Sequence, residues 1–153
     1  MRVGFAADHA GAGLKAELLR RLDELDLGHD LADLGGDGSD PSDDYPDFSR
    51  RLGLAVRDGE VERGILVCGS GVGASIAATK IRGVRAAVCH DTYSARQGVE
   101  HDDMSILCLG ARVIGPEPAF DCALAFLEAR FSPEPRHRRR IDKVLAIEAE
   151  ERD

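Results

Sequence analysis

Cys68 opens the run Cys68-Gly69-Ser70-Gly71-Val72-Gly73, a thiol followed by three glycines at alternate positions. An apolar stretch, RGILVC (63–68), leads into it, and a helix-like segment running to about Lys80 leads out. A glycine loop between a strand and a helix turns backbone N–H groups toward one point and cradles an anion. That anion is either a phosphate or a negative oxygen that develops during reaction. The thiol adds chemistry to binding. Thiols beside helix N-termini ionise more readily than free ones. A base next to donors for a negative oxygen is what proton abstraction beside a carbonyl requires.

Other glycine-loop chemistries fit less well. A dinucleotide fingerprint, G-x-G-x-x-G, would need its last glycine one residue later and normally follows the first strand of its fold. Asp91 does lie about 20 residues downstream, where that reading expects a ribose contact. A P-loop lacks its Lys-Ser or Lys-Thr, and a cysteine phosphatase loop would need arginine where Ala74 stands.

Further chemically able residues sit where strands are expected to end. Asp8-His9 follows the first strand and suits proton movement or phosphate holding; an Asp helix cap with an incidental histidine is the plainer reading. His101 lies in EHDD before the fifth strand, and Arg112 follows that strand. Arg136 and Arg140 are four apart, on one face of a helix, as phosphate binding favours. The same RHRRR run also offsets the acidic tail EAEERD. Together these residues point to cofactor-free aldose–ketose isomerisation of a sugar phosphate, and no metal-ligand cluster or redox motif accompanies them.

The elements that must position these residues alternate. Strands are expected at 2–7, 29–34, 63–68, 84–89 and 105–110. Helices are expected from the Leu14, Leu18, Leu22, Leu25 spacing, ended by Gly28, at 47–58, after the glycine loop to about Lys80, and at 91–100 and 116–130. A last helix follows Pro133 and Pro135, over about 136–150. Tyr45-Pro46 reads as a turn before the second helix. This β–α alternation predicts a single doubly wound α/β domain over 1–153: a five-stranded parallel sheet flanked by helices, Rossmann-like. Ligands bind such sheets beyond the carboxyl ends of the strands.

At 153 residues, 43% hydrophobic and 31% charged, the chain has material for one domain with a core. Its net charge of −8 argues against a nucleic-acid or anionic-membrane surface. No apolar run is long enough to span a membrane, and the N-terminus lacks a signal-peptide layout. Cys89, Cys108 and Cys122 read as small buried hydrophobes in a reducing, cytoplasmic setting.

ADHAG (7–11), DYPDF (44–48), GILVCGSGVGASIAATK (64–80), CHDTYSAR (89–96), LGARVIG (109–115) and RHRRRI (136–141) resemble the type B ribose-5-phosphate isomerases, a family that includes the galactose-6-phosphate isomerase subunits. The resemblance covers essentially the whole chain. It implies that Cys68 shuttles a proton between C1 and C2, and that Ser70 and the amides of Gly69, Ser70, Gly71, Val72 and Gly73 steady the enediolate. Asp8 and His101 would assist ring opening. His9, Arg112, Arg136 and Arg140 would hold the phosphate, with Tyr45 near the sugar. The resemblance also implies a homodimer or homotetramer whose sites are shared between subunits, the C-terminal helix taking part, and no cofactor. Ser70 stands where Thr is frequent in the family and keeps the hydroxyl. Ala74 stands where one branch carries a Glu base, which places this chain in the cysteine branch. Asp102 stands where Asn is common and bears on which sugar is taken. Allose 6-phosphate and galactose 6-phosphate remain open as substrates, and so does a non-catalytic sugar-phosphate or nucleotide-binding module.

Overall fold

Short apolar runs bounded by Gly, Asp and Pro become strands: β1 (Arg2–Ala7), β2 (Asp30–Asp33), β3 (Arg63–Cys68), β4 (Ala86–Val88) and β5 (Ile106–Gly110). Between and after them run α1 (Ala12–Leu25), α2 (Tyr45–Arg57), α3 (Val72–Ala78), α4 (Thr92–Asp102), α5 (Pro116–Glu128) and α6 (Pro135–Glu150). The structure, a computed structural model, describes residues 1–151. No helix among the described residues is long and apolar enough to cross a membrane.

All strand pairs are parallel, in the order β2-β1-β3-β5-β4. The chain leaves β1 toward β2 and returns to β3 on the other side. That reversal opens a crevice at the carboxyl ends of β1 and β3, where open α/β sheets bind ligands. Register keeps the central strands level: Ala7 faces Val67 and Cys68 faces Gly110. The residues that follow β1, β3 and β5 therefore emerge together at one edge of the sheet.

Strand side chains alternate between two buried layers. Ile65 and Val67 join Leu14, Leu18, Val99 and Phe126, on the face covered by α1, α4 and α5. Leu66 and Cys68 join Leu52, Ala74 and Ala78, on the face covered by α2 and α3. Cys68 is thus held by core packing as well as by its loop. Lys15 is buried, and its Nζ donates to Asp33 Oδ1 at 2.6 Å and to the Gly35 carbonyl at 3.1 Å, which pins α1 to the end of β2.

Gly36 closes the same corner. Its φ is +87°, and a Cβ there would run into the Ala7 carbonyl oxygen. Gly36→Ala is expected to lower stability by more than ~2 kcal/mol, since both the backbone conformation and the end of β1 would have to shift. Thermal unfolding measures this, and an unchanged Tm would contradict so close an approach.

Several expected boundaries move. The left-handed residue that ends α1 is Asp26 (φ +46°), and Gly28 lies two residues further on. Tyr45-Pro46 belongs to the first turn of α2, with proline at a position that needs no N–H. The fourth strand spans only 86–88 and is an edge strand paired on one side. α6 buries only His137 and Ile141 and leaves Val144 and Ile147 exposed.

Candidate active site

The site is built from loops at the carboxyl edge. Gly71 has φ +81° and caps α3, a conformation that side chains disfavour, so the loop can turn back on the strand that made it. Its N–H donates to Cys68 Sγ at 3.1 Å. An amide aimed at sulfur complements negative charge there. Ser70 is exposed at the rim, and its Oγ accepts the Val72 N–H at 3.2 Å. The loop is braced from β5: Ala111 N–H donates to the Cys68 carbonyl at 2.8 Å and Arg112 N–H to the Gly69 carbonyl at 2.9 Å. His90, just beyond β4, accepts the Gly110 N–H on Nε2 at 2.9 Å. Gly73 and Ala74 lie in the first turn of α3, where amides have no carbonyl of their own helix to donate to.

Arg112 and Tyr45 close on this loop, and Asp8 and His9 follow the neighbouring strand β1. Asp8 is buried, and its Oδ1 accepts the Gly11 N–H at 3.0 Å, so the cap-like role and a place in the site coincide. The Arg112 side chain lies over Gly69, where a Cβ would stand 3.6 Å from Nη1. The Tyr45 ring lies on Gly73, leaving no room for a side chain: a Cβ would stand 2.6 Å from Cζ. His9 Nδ1 is 2.6 Å from Asp43 Oδ1. Asp8, His9 and Asp43 bring one ligand-capable atom each within 4.8 Å of one another. The short His9–Asp43 hydrogen bond already engages two of them.

The other cysteines differ in kind. Burial pushes the Cys89 and Cys122 thiols up to about 11, and that of Cys108 higher still. They are core residues, as their apolar surroundings suggest. Asp91 caps α4 by accepting the Ser94 N–H at 2.7 Å, a structural role that removes it as a ribose contact.

The remaining expected residues lie elsewhere. His101 and Asp102 end α4 and precede β5, which puts them at the amino edge of the sheet. An 11-residue helix at ~1.5 Å per residue separates the two edges by about 16 Å. There His101 stacks on His137, ring centroids 4.0 Å apart. His101 Nδ1 is also 2.9 Å from the Gln97 amide nitrogen. His137 is buried, its Nδ1 has no hydrogen-bond partner, and burial lowers its pKa. Arg136 and Arg140 project from the same end of α6, exposed, with Arg136 Nε 2.8 Å from Glu134. One chain therefore brings Asp8, His9, Tyr45, Cys68, the glycine loop and Arg112 together. It holds His101, Asp102, Arg136 and Arg140 as a second, separate group. Asp8 and His101, expected to assist one ring opening in a site shared between subunits, lie in different groups of the single chain.

A further concavity lies away from the Cys68 loop and touches the second group only through Asp102. It is a groove of about 840 Å³ between β4, α4 and α6, lined by Ala87, Val88, Asp102, Met104, Val144 and Leu145.

Residues 3–144 match the family model described as Ribose/Galactose Isomerase. The chain belongs to the ribose/galactose isomerase family. Within this family it is 41% identical over 147 residues to ribose-5-phosphate isomerase B of Escherichia coli, covering 96% of each chain. It is 40% identical over 131 residues to D-erythrulose-4-phosphate isomerase of Pectobacterium atrosepticum, covering 86% of this chain and 85% of the other. The solved structure of type B ribose 5-phosphate isomerase from Trypanosoma cruzi superposes with a TM-score of 0.92 at 42% identity, over 98% of this chain and 99% of that one. The five-stranded parallel sheet and its flanking helices are therefore the fold of the ribose/galactose isomerases.

Asp43 and His137 escaped the sequence reading, and His90 was marked only by its position just after the fourth strand. Each acts through a partner distant in sequence: His9 lies 34 positions from Asp43, Gly110 lies 20 from His90, and His101 pairs with His137 across two helices.

Proposed function

We propose that this chain interconverts ribose 5-phosphate and ribulose 5-phosphate through an enediolate, with Cys68 as the base and without a cofactor. The observation that carries the reading is the buried Cys68 thiol, aimed at by the Gly71 N–H in a glycine loop that opens α3. Cys68 takes the C2 proton of the open-chain aldose and returns it to C1. The loop amides and Ser70 donate to the oxygens as charge develops on them. Asp8 and His101 handle the hydroxyl protons of ring opening. His9, Arg112, Arg136 and Arg140 bind the phosphate, and Tyr45 flanks the sugar. The relatives named ribose-5-phosphate isomerase B support this substrate. The relative that acts on erythrulose 4-phosphate, together with the Asp102 carboxylate, makes a different sugar chain length the second reading. Comparing kcat/KM for ribose 5-phosphate, allose 6-phosphate and erythrulose 4-phosphate with purified protein decides between them. A non-catalytic sugar-phosphate module has no use for a thiol at the loop.

The site is completed by a second copy of the chain, in a homodimer or homotetramer. The two residue groups lie at opposite edges of the sheet, so only another subunit can bring His101, Asp102, Arg136 and Arg140 to the Cys68 loop. Exposed apolar side chains beside each group, Val72 and Ile76 on α3 and Val144 and Ile147 on α6, supply surface for that contact. Four buried, unpaired cysteines support a cytoplasmic setting.

The arginine roles make a direct prediction. Arg140→Ala and Arg136→Ala are each expected to raise KM for ribose 5-phosphate by ~10-fold or more, as loss of a charge-assisted phosphate contact does. The slow turnover of unphosphorylated ribose should be nearly indifferent. Equal losses on both sugars would contradict the phosphate assignment.

A further inference from the structure

The polar loop between β2 and α2 reaches the site through one carboxylate that the roles above leave unused. Asp43 Oδ1 accepts two hydrogen bonds from His9, one from the backbone N–H at 2.9 Å and one from Nδ1 at 2.6 Å. Asp43 is largely covered, with a side-chain exposure of 13%, and His9 is one-third open at 34%. A carboxylate on Nδ1 requires a proton there, which fixes the ring's orientation and leaves Nε2 as the nitrogen that meets a ligand.

We propose that Asp43 is a positioning residue that holds His9 as an imidazolium with Nε2 toward the substrate's phosphate, so that His9 and Arg112 present two positive charges to it. The inference rests on the reading of His9 as a phosphate ligand. Asp43 itself touches no substrate atom and acts through His9. Sugar phosphates are largely dianionic near neutral pH, since the second phosphate ionisation lies near pH 6. An imidazolium meets that charge with a charge-assisted hydrogen bond, which a neutral ring cannot match.

Four charged side chains face the imidazole. Asp43 bonds to it, Asp8 comes from the end of β1, Asp40 from the same loop as Asp43, and Arg112 from the turn after β5. The Asp43 hydrogen bond is the largest influence and raises the His9 pKa above its ordinary value. Burial opposes it, the Asp43 and Asp8 charges add to it, and Arg112 opposes it. The sign follows. Tight phosphate binding is complete below the raised pKa and is lost as pH climbs through it. Without the Asp43 charge, that loss begins at lower pH.

The test is steady-state kinetics on ribose 5-phosphate at pH 6 and pH 8 for Asp43→Asn and His9→Gln, with an NMR titration of the His9 ring. Asparagine keeps an acceptor oxygen for the His9 backbone N–H, so the loop stays anchored while the charge is removed. Asp43→Asn is expected to raise KM ~10-fold at pH 8 but about twofold or less at pH 6, where an ordinary histidine is still mostly protonated. kcat should fall far less than KM rises, and the His9 inflection should move to lower pH. His9→Gln should raise KM at both pH values. A pH-independent KM ratio for Asp43→Asn, or an unmoved His9 inflection, overturns the proposal while His9→Gln still raises KM. No effect of His9→Gln at either pH overturns the phosphate role of His9, and the proposal with it.

Discussion

Cys68→Ala is expected to lower kcat on ribose 5-phosphate by at least ~100-fold, the range for a lost general base, while KM changes little. The side chain is 4% exposed and stands in the α2/α3 layer of the core, so its loss removes a proton acceptor without removing a phosphate contact. Asp8 is the other buried acid of the carboxyl-edge group, and its Oδ1 is already engaged by the Gly11 N–H. Cys68→Ser sharpens the test. Serine preserves size and an acceptor for the Gly71 N–H, yet its hydroxyl is a poor base near neutral pH, so it should be nearly as slow as alanine. Unchanged m-values and Tm would show that the fold survives. Turnover within a few-fold of the parent in both variants would remove Cys68 as the base.

Two inactive variants are expected to restore each other. Cys68→Ala spoils the carboxyl-edge group, and His101→Ala spoils the amino-edge group. In an assembly that shares sites, a mixed pair contains one site with both residues intact and one with neither. Random mixing should therefore recover about a quarter of parental activity, counting sites in an isologous dimer. The variants are mixed under conditions that exchange subunits, and the activity of the mixture is compared with each variant alone. A mixture no more active than its components would mean that each chain builds its whole site by itself. That would contradict the topology, in which β5 and α4 stand between the two groups.

The separation of the two groups was implicit in the sequence. Residues just after a strand of a parallel sheet lie at one edge, and residues just before a strand lie at the other. Cys68 and Arg112 follow strands; His101 and Asp102 precede one. RGILVC was legible as a buried strand because its apolar residues are unbroken, and the helix after it because small residues follow the glycines. The edge strand at 86–88 was less sharply legible, since the apolar run continues through Cys89, past the end of the strand. Gly28 read as the end of α1, but Asp26 adopts the left-handed conformation first, as an acidic residue with a short side chain can. Tyr45-Pro46 read as a turn because proline breaks helices, although it is well tolerated at their first positions. Asp43 carried no local signal at all. It is one of several acidic residues in a loop rich in Gly, Ser and Asp, and only the fold brings it 2.6 Å from His9.

The central claim is proton transfer at carbon by an enediolate route. It is tested most directly by running the reaction on ribose 5-phosphate in deuterium oxide, with EDTA present, and reading isotope by NMR. The account predicts ribulose 5-phosphate carrying deuterium at C1, recovered ribose 5-phosphate carrying deuterium at C2, and neither above background with Cys68→Ala. Ketose formed without deuterium at C1, alongside recovered aldose without deuterium at C2, would contradict a base that exchanges with solvent, and exchange that persists in Cys68→Ala would assign the base elsewhere.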